Sequence, residues 1–119
     1  KLQAILKSMR DAIARDDIQA LRTSLISLYK FNSYTGRLDT MGQSERYHWL
    51  GIGHFALAQD GESLKHAQQL MLQSMSLGGI EQKHKAKRVI DYMGLYKVSA
   101  KTRVGNEHKI WLIDLFNGL

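Results

Sequence analysis

The chain contains no cysteine. Disulfides, thiolate nucleophiles and cysteine-based zinc sites are therefore excluded. The lack of thiols fits a reducing compartment, and we expect a cytoplasmic protein. Proline is also absent. Prolines punctuate loops and sheet edges, so their absence favours helices joined by short turns. No apolar run approaches the ~20 residues that span a bilayer; the longest, Trp49 to Ala58, is interrupted by His54. No membrane association is expected. Nothing at the N-terminus has the charged start, apolar stretch and small-residue cleavage site of a signal peptide. The first residue is Lys1 rather than methionine, which points to a trimmed or excised piece of a longer chain.

What is present is one domain's worth of chain: 119 residues, 44% apolar. A chain of that length hides roughly two-thirds of its unfolded surface, enough for one core without staples. We therefore expect a single helical domain over 1–119. The net charge is +6 and unevenly spread. Residues 83–109 hold Lys83, Lys85, Lys87, Arg88, Lys97, Lys101, Arg103 and Lys109 against only Asp91 and Glu107. That segment carries the whole excess, and the rest of the chain sums to zero. His84 and His108 lie in it too. A localised basic segment raises the expectation of an anionic partner, most often nucleic acid. A solubilising helix face is the plainer explanation of the same residues.

Apolar periodicity marks the helices. Leu2, Ile5, Leu6, Met9, Ala12 and Ile13 recur at steps of three and four, predicting a helix over 2–15. Asp16 or Asp17 then offers an N-cap oxygen, with Gln19 at capping-box distance from Asp16. A second helix, 18–30, carries Ile18, Leu21, Leu25, Leu28 and Tyr29. So short a joint implies antiparallel neighbours. Residues 31–43 lose periodicity among turn formers such as Asn32, Gly36 and Gly42. Ser44 is placed to cap a third helix, 45–59, with Trp49, Ile52, Phe55 and Ala56. Asp60-Gly61 reads as a turn. A fourth helix, 62–77, has Leu64, Ala67, Leu70, Met71 and Met75. Gly78-Gly79 ends it through glycine's tolerance of left-handed backbone. A fifth, 80–93, carries Ile80, Val89, Ile90 and Met93.

The tail reads differently. Tyr96, Val98, Ala100, Thr102 and Val104 alternate with polar residues at period two, a strand signal. Gly105-Asn106-Glu107 would turn the chain and Ile110-Trp111-Leu112-Ile113 would return it. The expected fold is all-α or mainly α: antiparallel hairpins of about five helices, with a C-terminal β-hairpin. Continued helix is the rival for the tail, because Lys, Ala and Arg are good helix formers.

Ala12-Ile13-Ala14-Arg15-Asp16-Asp17 is echoed by Ala56-Leu57-Ala58-Gln59-Asp60-Gly61. The second stretch, followed by Ala67, loosely resembles a tetratricopeptide unit over about a third of the chain. The aromatic and glycine positions of that family's first helix align only with a shift, and its closing proline is missing. The resemblance implies stacked helical hairpins and no particular activity.

Candidate chemistry is sparse. Of the histidines at 48, 54, 66, 84 and 108, no two are three or four apart on one helix. The mixed pairs Glu62/His66 and Glu81/His84 lack further ligands, so no metal is expected. Asp16, Asp17, Asp60 and Glu62 lie at helix starts, where capping explains them. No phosphate-cradling glycine loop occurs, and Gly51-Ile52-Gly53 fits a close helix crossing better than a cofactor. The methionines Met71, Met75 and Met93 read as core. Val89 to Val104 has the outline of a helix-turn-helix about Gly94-Leu95. Val98 and Arg103 do not suit a recognition helix, so a helix end followed by a strand fits better.

The functional expectation is a non-enzymatic, cofactor-free nucleic-acid-binding domain, regulatory or architectural. Phosphates would be neutralised by Lys83, Lys87, Arg88, Lys97, Lys101, Arg103 and Lys109. Tyr92, Tyr96 and Trp111 lie near enough to stack on single-stranded bases. The alternative is a protein-interaction module or homo-oligomer built from stacked hairpins.

Overall fold

The computed structural model describes residues 2–35, 40–57, 61–95 and 106–117. Six helices occur among them: α1 (Leu2–Ala14), α2 (Ile18–Thr35), α3 (Thr40–Leu57), α4 (Gly61–Leu77), α5 (Ile80–Leu95) and α6 (Asn106–Asn117). The described residues contain no strand.

The first hairpin follows the sequence pattern. Leu6, Met9, Ala12 and Ile13 bury one face of α1 against Leu21, Leu25 and Leu28 of α2 in a common core. The joint between them is a Schellman turn. The Asp17 amide donates to the Ala12 carbonyl (2.9 Å) and the Asp16 amide to Ile13 (3.2 Å). Asp17, not Asp16, is the N-cap of α2: its Oδ1 accepts from the Ala20 amide at 3.0 Å. No capping box with Gln19 therefore forms. Asp16 takes the left-handed position (φ 55°) that glycine usually fills. Asp16→Gly is accordingly expected to raise stability by about 0.5–1 kcal/mol, read as a higher denaturation midpoint. A lower midpoint would show that the carboxylate itself holds the turn.

α3 is the central helix. It packs on α1, α2, α4 and α5, and Trp49 meets Phe116 of α6 at 4.7 Å between ring centroids. Every residue from His48 to Gly53 is buried, so the helix shows no single apolar stripe. Gly51 and Gly53 permit this crowding. A Cβ on Gly51 would lie 2.5 Å from Met71 Sδ and 3.2 Å from the Ala67 carbonyl; one on Gly53 would lie 2.5 Å from Leu25 Cδ2.

Several local expectations are corrected here. Ser44 does not cap α3, which begins at Thr40. It is fully buried inside the helix, where its Oγ donates to the Ser74 carbonyl and Ser74 Oγ donates to the Ser44 carbonyl, each at 2.7 Å. This reciprocal pair, with Gly51 against Ala67, sets α3 and α4 antiparallel at close range. The break over 31–43 narrows, since α2 reaches Thr35. Residues 36–39 and 58–60 lie outside the described residues, and with them most of the Asp60-Gly61 turn. At Gly78-Gly79 no left-handed φ occurs. Gly78 is needed for space instead, because a Cβ there would lie 2.6 Å from Ser44 Oγ. Ile18 and Ile80 leave the stripes assigned to them and are exposed. Met71 and Met93 are fully buried, and Met75 packs against the same core.

The C-terminal hairpin is not formed. Residues 106–117, its turn and second arm, are helical. Leu112 and Phe116, four apart, bury one side of α6, and Trp111, Ile113 and Leu115 flank it. Gly94 and Leu95 are the last residues of α5, not a turn. The first arm, from Tyr96 to Val104, lies outside the described residues.

Sequential helices pack on each other from α1 to α5, and α1 meets α3 as α3 meets α5. This is the contact pattern of stacked hairpins. α6 crosses the face made by the odd-numbered helices. It packs on α1, touches α3 through Phe116, and touches α5 through Trp111. Arg10 Nη1 donates to Asn117 Oδ1 at 3.3 Å, tying its end to α1. No helix among the described residues is long and apolar enough to cross a membrane.

Candidate functional site

α5 buries Ala86, Val89 and Met93, so the opposite side faces solvent. Lys83, Lys85, Lys87 and Arg88 are all exposed on it. They form two rows. Lys83 and Lys87 are four residues apart and stack along one flank. Lys85 and Arg88 run along the other, towards Tyr92, and these three line a cleft. Lys85 also approaches Glu81 Oε1 at 3.9 Å, a loose exposed pair of little energetic weight. Of the seven cations expected to bind phosphate, Lys83, Lys87 and Arg88 share the α5 surface. Lys97, Lys101 and Arg103 lie outside the described residues, as does Tyr96. Lys109 falls within α6. Lys85, which the spacing sets apart from the others, is the cation that joins Arg88 at the cleft.

The cleft lies between α3, α5 and α6 and has a volume of about 680 Å³. One wall is a stacked aromatic pair, Tyr92 on Trp111, with centroids 3.4 Å apart and planes within 10°. Phe55 supports Tyr92 edge-on at 6.0 Å. His48 and Trp49 of α3 lie on the inner side, their rings perpendicular at 5.2 Å. Lys85 and Arg88 bring positive charge, while Asp91 and Asp114 bring negative charge to the same opening.

His48 is 6% exposed. Burial, reinforced by the charge of Lys85, lowers its pKa to about 4, so the imidazole is neutral at pH 7. Its Nδ1 is buried without a hydrogen-bond partner among the described residues. Buried polar atoms are rarely left so, and each such case asks for an explanation. No known family, curated protein or solved structure matches this chain. The cleft must therefore be read from its own chemistry.

A second polar cluster was invisible to helical spacing because it forms between helices. Tyr29 of α2 lies with its hydroxyl 2.8 Å from His54 Nε2 of α3. The His54 ring lies 4.7 Å from His66 of α4, edge to face. Burial, then repulsion from His66, lowers the His54 pKa. Burial raises that of Tyr29, opposed by Arg46. Among the described residues no three His, Asp or Glu side chains converge as a metal site.

Proposed function

We propose that the chain is a non-enzymatic nucleic-acid-binding domain that holds phosphates on the exposed cations of α5. One observation carries the reading: Lys83, Lys87 and Arg88 share an exposed helix surface, and the row through Arg88 leads into an aromatic cleft. Cations beside aromatic rings are the working parts of single-strand binding: the cations displace condensed counterions and the rings stack on bases. The remaining basic residues of 97–109 extend the same charge excess along the sequence. A protein-interaction module is the second reading. It rests on exposed apolar side chains, chiefly Ile80 of α5, Ile110 of α6 and Leu72 of α4.

The test is binding of a single-stranded oligonucleotide, followed by anisotropy at several salt concentrations. Replacing Lys83, Lys87 and Arg88 together by glutamine should weaken binding to every sequence. The slope of log affinity against log salt should flatten by about 2, at ~0.7 per lost phosphate contact. The fold should survive, since exposed charges contribute little stability. Equal affinities and equal slopes would reduce α5 to a solvated surface and put the protein partner first.

A further inference from the structure

We infer that the cleft between α3, α5 and α6 is a nucleotide subsite, with Tyr92 and Trp111 against the base, Lys85 and Arg88 on the phosphate, and His48 hydrogen-bonding within. The inference deepens the nucleic-acid reading and rests on it for the strand as a source of the nucleotide.

Four features select this ligand class. The volume, about 680 Å³, falls in the usual range for small-molecule sites. Half-buried Tyr92 and Trp111 both line the cleft as a stacked pair, an aromatic wall of the kind a planar base packs against. The charges at the opening balance, two cations against two carboxylates. A bare phosphate would meet Asp91 and Asp114 unfavourably and leave the aromatic wall unused. A purely apolar ligand would desolvate four charges without partners. A nucleotide answers all of them: its phosphate to Lys85 and Arg88, its exocyclic amino group or ribose hydroxyls to the carboxylates. The fourth feature is His48, buried, lining the cleft and with Nδ1 unpartnered among the described residues. A half-turn about χ2 exchanges Nδ1 with Cδ2, so the ring can present that nitrogen to a bound nucleotide.

The experiment is calorimetric titration of the parent chain and variants with AMP, with adenosine, and with a short oligoadenylate. The parent should bind AMP saturably at one site and adenosine more weakly. His48→Leu and Lys85→Gln should each weaken AMP binding about tenfold. Lys85→Gln should leave adenosine binding unchanged, because that ligand has no phosphate. Lys85 is exposed, so this variant tests the site even if His48→Leu fails to fold. AMP that displaces the oligoadenylate identifies a strand as the source; AMP and oligoadenylate bound together identify the free nucleotide. The double variant Lys83→Gln, Lys87→Gln lies off the cleft and separates the two readings. If it loses the oligoadenylate and keeps AMP, both stand. No saturable AMP binding by the parent, or parent-like AMP binding by both cleft variants, overturns the subsite. In that event, salt-sensitive oligoadenylate binding that the double variant weakens leaves the α5 reading standing.

Discussion

Replacing Trp49 by alanine should lower stability by about 3–5 kcal/mol, the usual loss for emptying a buried large aromatic site. Trp49 is 3% exposed on the central helix, and its ring packs on Phe116 of α6 and on His48. The indole is thus the link between α3 and the helix laid across the odd-numbered face. Truncation removes its own apolar burial and leaves a cavity beside Phe116 of α6. A domain of this size has only about 5–15 kcal/mol in total, so the loss is a large share. Trp49→Phe keeps most of the packing and should lose much less. Chemical denaturation with an unchanged slope and a lowered midpoint is the expected readout. A midpoint that barely moved would mean that α6 does not rest on Trp49 in solution.

The second large effect is a loss of stability in acid, centred on His48. In the folded chain its pKa is lowered to about 4, from an ordinary 6.5 that the unfolded chain regains. The unfolded state therefore binds the extra proton first as pH falls. Stability from this group is complete above pH 6.5, declines below it, and is fully lost below about pH 4. The difference corresponds to about 3 kcal/mol. His54 is shifted in the same direction and adds to the same acid limb. His48→Leu cannot take up the proton, so its stability should fall less between pH 6.5 and 4 than that of the parent. Parallel curves for the two proteins would show that His48 is protonated equally in both states.

The readability of the fold varied with how each helix is used. α1 and α2 bury one side each, so Leu6, Met9 and Ile13, or Leu21, Leu25 and Leu28, keep the helical period in the sequence. α3 is enclosed from several sides, and its start was misplaced because Ser44 resembles a cap. A buried serine inside a helix and a capping serine look alike until the neighbouring helix is known. Trp49 and Phe55 share one core with Met71, against which Leu64 packs, and their rings also meet Phe116 of α6 and Tyr92 of α5. Core membership follows from residue type and spacing, whereas the partner depends on which helix arrives.

The tail shows the same division. Ile110-Trp111-Leu112-Ile113 is a four-residue apolar run, too short for periodicity to separate strand from helix. Docking across α1, α3 and α5 decides for helix, because Leu112 and Phe116 then face one way together.

By itself the sequence determined that the chain lacks thiol chemistry, that its first five apolar segments are helical, and that its charge excess sits in 83–109. Those are properties of residue type and local period, which need no distant neighbour. Only the tertiary structure decided that Lys85 and Arg88 share a cleft with His48, and that Tyr92 stacks on Trp111. It also brought His54 beside His66. These groups come from different helices, and local spacing holds no term for contact between them. Their meeting follows from α6 lying across α3 and α5, and from α3 and α4 closing through Gly51, Ser44 and Ser74, small residues that let two backbones approach.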